Sequence, residues 1–173
     1  MIRTMSIDDV ERVAEIHVSG WRNAFFGILS NDFLFNRLRV LNRIKVFQEE
    51  VLSNKDETYV FDDGMIKAFM TIGRCRDEDE PDAFGLWGLY VDPFWQRNGI
   101  GSVMFRFCEQ QAIQRGYEKI NLWVLEPNAR ARGFYEKMGF RPDGSAKRIE
   151  WMGSTELRYS KLLKTTDVCE GCV

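Results

Sequence analysis

The chain has 173 residues and a net charge of −2, from 24 basic against 26 acidic side chains. Hydrophobic residues make up 45% and charged residues 29%, the balance of one globular domain with enough chain to bury a core. That balance excludes a surface built to coat nucleic acid, and no apolar run approaches the ~20 residues of a membrane span or the apolar core of a signal peptide.

The expected compartment is therefore the cytoplasm. The first predicted element is a short strand in "MIRTM". Ser6 with Asp9 three residues on resembles a capping box, Asp replacing the usual Glu. Val10, Val13, Ala14, His17 and Trp21 then recur at helical spacing. "NAFFGILS" reads as a loop, leading to a second helix with Leu34, Leu38, Leu41, Ile44, Phe47 and Val51 along one side. "ETYVF", the turn "DDG" and "MIKAFMTIG" form a predicted hairpin. The acidic loop "RDEDEPD" separates it from the strand "AFGLWGLYV".

That strand ends at Asp92-Pro93, and Gln96, Arg97, Asn98, Gly99 and Gly101 stand where it passes into a helix. Ile100, Val103, Met104, Phe107 and Cys108 give the helix its apolar stripe, and Gly116 closes it. "KINLWVL" is apolar on both faces, as in a strand covered from both sides. "NARARGFYEKM" is a short helix stopped by Gly139, and "KRIEWMGSTELRYSKLL" supplies two strands around Gly153-Ser154. The unit from Ala83 to Leu125 is then a βαβ crossover, which sets two parallel neighbours inside a mostly antiparallel sheet. The expected fold is a single mixed α/β domain over residues 1–162, with six to seven strands flanked by helices. A flexible tail over 163–173 follows. Cys169 and Cys172, in "CEGC", fall in that tail; His17 is the only histidine, so a full zinc ligand set is wanting. A frayed tail and a metal or redox role both stay open.

The glycine turn is the chemical signal. The first N–H groups of a helix have no intrahelical acceptors and carry the positive end of the macrodipole. Gly99 and Gly101 lack Cβ atoms, so an anion can approach the backbone from Gln96 to Ser102, with Arg97 adding charge. A dinucleotide fingerprint needs a third glycine where Met104 stands, and a Walker A loop needs a lysine between Gly101 and Ser102. What remains is Q-x-x-G-x-G after a strand.

"VDPFWQRNGIG" resembles motif A of the GNAT superfamily of acyl-CoA-dependent N-acyltransferases, and "NARARGFYEKMGF" is similar to its motif B. "WRNAFFGI" is similar to the loop between the family's first two helices. The resemblance spans residues 1 to 162 and implies a direct transfer of acetyl from acetyl-CoA to a primary amine, without a metal. It implies that the pyrophosphate sits on the amides of Gln96, Arg97, Asn98, Gly99, Ile100, Gly101 and Ser102. The pantetheine would run along Leu89, Tyr90 and Val91, between parallel strands that splay apart. The N–H of Leu89 or Tyr90 would face the thioester oxygen, and Gly88 is compatible with a bulge there.

Asn128, Ala131 and Tyr135 share one face of the motif B helix. The resemblance has Asn128 hydrogen-bonding the pantetheine and Tyr135 near the sulfur as the candidate acid; a core aromatic is the alternative. Phe134 and Met138 belong to the adjacent face, packed on the sheet. Arg130 and Arg132 are either solvated or in contact with the cosubstrate. On the acceptor side, Glu126 is the candidate base, with His17 read either as a base or as a core or capping residue. Trp21, Phe25 and Phe26 either line the acceptor pocket or anchor the first loop. The acidic run Asp77, Glu78, Asp79, Glu80 and Asp82 is either a solvated loop or an attractor of a cationic acceptor. The expected partner is a small-molecule amine, with a protein N-terminus or lysine, or a CoA-binding sensor role, as alternatives. A homodimer is left open.

Overall fold

The computed structural model describes residues 1–53 and 56–163; all of the expected tail after Leu163, with its CEGC pair, lies outside the described residues. Seven strands form one sheet: β1 (Ile2–Thr4), β2 (Glu57–Asp62), β3 (Ile66–Arg74), β4 (Phe84–Val91), β5 (Lys119–Leu125), β6 (Arg141–Ile149) and β7 (Ser154–Leu162). Their order is β1-β2-β3-β4-β5-β7-β6, antiparallel throughout except for β4 and β5. The expected crossover joins that parallel pair through α3 (Ile100–Gln114).

Side-chain alternation assigns the two layers of helix. On β3, Ala68 and Met70 point into one core and Phe69 into the other. Phe69 meets Val13, Ile16 and Phe47 beneath α1 (Val10–Phe25) and α2 (Val40–Ser53). Met70 shares its core with Met104, Phe105, Ile120 and Tyr159, with Phe134 and Met138 of α4 (Ala129–Lys137) packed alongside. The start of α1 is held as the capping pattern predicts. Asp9 accepts from the Ser6 amide at 2.7 Å and takes both guanidinium nitrogens of Arg3, at 2.6 and 2.9 Å.

Three expectations are corrected. The segment from Asn23 to Phe25 is the last turn of α1 and not loop. The apolar stripe from Leu34 to Val51 does not lie on one helix: a π-helical turn, Phe33–Arg37, ends at Leu38, whose backbone is extended, before α2 begins. Leu34 and Leu38 pack with Val18 and Leu29, while Ile44, Phe47 and Val51 pack with Val13, so each half of the stripe serves a different core. Leu41, between them, is 73% exposed. β6 begins at Arg141, earlier than the pattern suggested, with an irregular register between Pro142 and Ala146.

Two features of the central strands bear on the site. β4 and β5 are paired only at Phe84–Ile120 and Gly85–Asn121, after which the strands part. On its other side β4 pairs with β3 along its length but slips, with Leu86 opposite Ile72 and Gly88 opposite Thr71. The extra residue of this bulge is Trp87, one position before the expected Gly88. The slip changes the phase of the strand, so Leu86 and Leu89 face the same core although three residues apart. The Trp87 indole crosses to the opposite face and lies over Gly73 and Gly85, where a Cβ would come within 2.7 and 2.4 Å of it. Among the described residues, no helix is long and apolar enough to cross a membrane.

Candidate active site

The glycine turn hangs from Asp92. Its carboxylate accepts the Phe94 amide at 2.9 Å and pairs with Arg12 of α1, fixing the exit of β4 against the first helix. The backbone then turns left-handed twice, at Arg97 (φ 65°) and Gly99 (φ 78°). A Cβ on Gly99 would point into open space. Among the described residues, none of the amides from Gln96 to Ser102 donates to a backbone acceptor. A free row of amides at the start of a 15-residue helix suits a diphosphate.

A cavity of about 680 Å³ opens beside this turn. Gln96, Arg97, Gly99, Gly101 and Ser102 line one wall, and Leu89 and Val91 the floor. Asn128, Ala131 and Tyr135 of the motif B segment form the far wall. Asn98 and Ile100 do not line it; Ile100 is buried in the core. The Gln96 side chain bridges three elements. It donates to the Val91 carbonyl at 3.1 Å and accepts from Asn23 at 3.2 Å and from Arg130 at 2.5 Å. Arg130 thus belongs to the cavity wall. Arg132 turns away, donating to the Tyr159 hydroxyl and the Glu126 carbonyl, both at 3.0 Å. Asn128 caps α4, its side-chain oxygen accepting the Ala131 amide at 3.1 Å.

A second cavity of about 200 Å³ lies on the α1 side of the splayed strands and shares Leu89, Val91, Gln96, Asn128, Ala131 and Tyr135 with the first. Trp21 and Phe25 line it, with Trp87, Tyr90 and Trp123. Phe26 lines neither cavity, is 65% exposed and meets Phe35 instead. Trp21 donates to the Tyr90 hydroxyl at 3.0 Å, which fixes both rings. Burial raises the Tyr90 phenol above its usual value, opposed by Trp21 and Arg43 and reinforced by the Glu156 carboxylate. Burial likewise raises the Tyr135 phenol, which keeps its proton at neutral pH. No hydrogen-bond partner satisfies that hydroxyl among the described residues, although Tyr135 stands where the cavities meet.

The remaining candidates fall elsewhere. Glu126 is exposed and lines neither cavity. His17 is 6% exposed and boxed by Trp21, Phe47, Phe69 and Tyr90 at ring separations of 5.1 to 6.3 Å. Three carboxylates of the acidic run are paired, while Glu78 and Asp82 are exposed. Asp79 clamps Arg158 with two contacts of 2.7 Å, Asp77 accepts the Trp123 indole N–H at 3.0 Å, and Glu80 pairs with Lys119. Trp87, Trp123 and Glu156 are lining residues the sequence reading did not single out. Trp123 belongs to a strand whose sequence is apolar on both faces, and its alternation with Leu122 and Val124 is the signal that sets it on the cavity side.

Residues 22–140 match the model of the acetyltransferase (GNAT) family. The chain is 26% identical over 156 residues to a spermidine N(1)-acetyltransferase of Thermoplasma acidophilum, covering 83% of this chain and 91% of the relative. It is 27% identical over 130 residues to a Bacillus subtilis protein named as an uncharacterised N-acetyltransferase, covering 73% and 72%. The crystal structure of a Thermoplasma acidophilum N-acetyltransferase in complex with coenzyme A superposes with a TM-score of 0.74 at 21% identity, over 91% of this chain and 96% of that one.

Proposed function

Because the chain belongs to the GNAT acetyltransferase family, we propose that it transfers the acetyl group of acetyl-CoA to a small primary amine by direct attack within a ternary complex. The observation that carries this reading is the junction of two cavities at Leu89, Asn128, Ala131 and Tyr135: one opens on free amides, the other is walled by aromatic rings. In this reading the amides of the glycine turn hold the pyrophosphate, and the pantetheine lies along Leu89 to Val91. The neutral amine attacks the thioester carbon from the aromatic side, forming the C–N bond, and the Leu89 N–H stabilises the oxyanion. Collapse breaks the C–S bond, and the Tyr135 phenol gives its proton to the departing thiolate. The ammonium proton leaves to water, which returns a proton to the Tyr135 phenolate; Glu126, outside both cavities, acts only through that water. The second cavity's size and the spermidine-acetylating relative both favour a small acceptor over a protein one.

Thermal unfolding with CoA and desulfo-CoA, followed by thiol release with an amine panel, tests the reading. Ligand at ~100 times its Kd should stabilise the fold by roughly 2.7 kcal/mol. No shift with millimolar CoA overturns the binding assignment. A shift without thiol release for any amine or N-terminal peptide points to a sensor.

A further inference from the structure

This inference rests on the amine-acceptor reading of the second cavity and names what that cavity selects. Glu156 is the one carboxylate among the described residues lining it, and its companions there include the rings of Trp21, Phe25, Trp87, Tyr90 and Trp123. A carboxylate set among aromatic faces attracts an ammonium twice over, by charge pairing and by the ring quadrupoles, and repels an anion by both.

A cation already occupies part of this frame. Lys147 stands directly across from Glu156 in the β6–β7 ladder, with Nζ 3.3 Å from the carboxylate and 4.0 Å from the centre of the Trp123 ring. The Trp123 ring cannot drift, because its N–H is tied to Asp77. The Lys147 side chain is 44% exposed, however, so it can exchange into water at little loss. Glu156 also sits opposite Leu125 in the β5–β7 ladder. Carrying the Gly85–Asn121 register onward, with the extra residue of the bulge at Trp87 counted out, brings Leu89 level with Val124, the neighbour of Leu125. Glu156 is therefore within one residue of the row of Leu89 and two strands away, farther than the roughly 10 Å of ordinary strand spacing because β4 and β5 have parted there. That separation is too long for direct proton transfer at the thioester. It suits the far end of an acceptor whose reacting amine lies at Leu89.

We propose that Glu156 determines acceptor specificity by binding the second ammonium of a diamine, displacing Lys147, while the first amine reacts. Initial rates of the full-length protein with acetyl-CoA test this by comparing putrescine and cadaverine with n-butylamine and n-pentylamine. The diamines should show a kcat/KM about tenfold higher or more. Glu156→Gln should abolish that preference by raising the diamine KM, leaving kcat and the monoamine KM nearly unchanged. Lys147→Ala, which keeps the carboxylate and frees it, should lower the diamine KM. Equal efficiency with diamine and monoamine overturns the proposal, as does a preference that survives in Glu156→Gln. An unchanged diamine KM in Lys147→Ala overturns the displacement even if the Glu156 variant does not fold. If no amine is turned over, calorimetric titration of the CoA-loaded protein with putrescine separates the two readings. Binding lost in Glu156→Gln sustains this one and sinks the catalytic one, and absence of binding sinks this one.

Discussion

Replacing His17 with phenylalanine should flatten the acid limb of the stability curve. Burial pushes this imidazole down to about 3, with the nearby positive charge of Arg43 adding to the effect. In the unfolded chain the group titrates near ~6.5. The folded value is the lower one, so its contribution is complete above the unfolded pKa and is lost as pH falls from about 6.5 toward about 3. The loss runs at about 1.4 kcal/mol per pH unit, which integrates to about 2 kcal/mol at pH ~5. For a chain of this size that corresponds to roughly 4–8 °C in Tm. Phenylalanine keeps a ring among the four aromatic neighbours and removes Nδ1, which is buried without a partner among the described residues. Thermal unfolding of parent and variant between about pH 7.5 and about pH 5 reads the difference, since every other titrating group is common to both. Parallel Tm curves would refute the reasoning, as would an NMR titration placing the His17 midpoint near its unfolded value.

Tyr135→Phe should lower kcat by about 10²-fold with little change in the acetyl-CoA KM, because the ring is kept and only the proton donor is lost. Steady-state kinetics checks this; turnover within about a factor of three of the parent would leave solvent as the donor. Gly99→Val places a branched side chain at φ 78° with its Cβ directed into the open cleft. The acetyl-CoA KM should rise about tenfold or more while the amine KM moves less, and CoA binding unchanged in a folded variant would make the turn purely structural.

The parts of the fold written in local spacing were legible before any coordinates. Ser6 and Asp9 mark the start of the first helix, the Asp-Gly turn marks the hairpin, and the crossover follows from the order of elements. The helical stripe from Leu34 to Val51 misled because two short segments at helical spacing leave the same trace as one long helix. Nothing local separates them; the choice is made by Val18 and Leu29 on one side and Val13 on the other. The pairing of the acidic loop is illegible for a similar reason. Its partner Arg158 lies 79 residues beyond Asp79. In the candidate site, the turn and the motif B face carry their spacing in the sequence. The second cavity gathers Trp87, Trp123 and Glu156 from three strands, and Leu89 takes its place at the junction only through a bulge whose phase change is invisible in the pattern of residues.

With only Phe84–Ile120 and Gly85–Asn121 joined across the middle of the sheet, the domain is a pair of lobes, four strands and three, stitched at one end of a seam. Beyond those stitches, the edges of β4 and β5 that face each other have no strand to bond. A sheet closed along every ladder would resist opening there; this one can breathe about its sewn end. In the proposed reading, the pantetheine arm supplies the missing thread. Its departure as free CoA would unpick the seam again, so each catalytic cycle would alternately stiffen and loosen β5–β7, which lie beyond the thread.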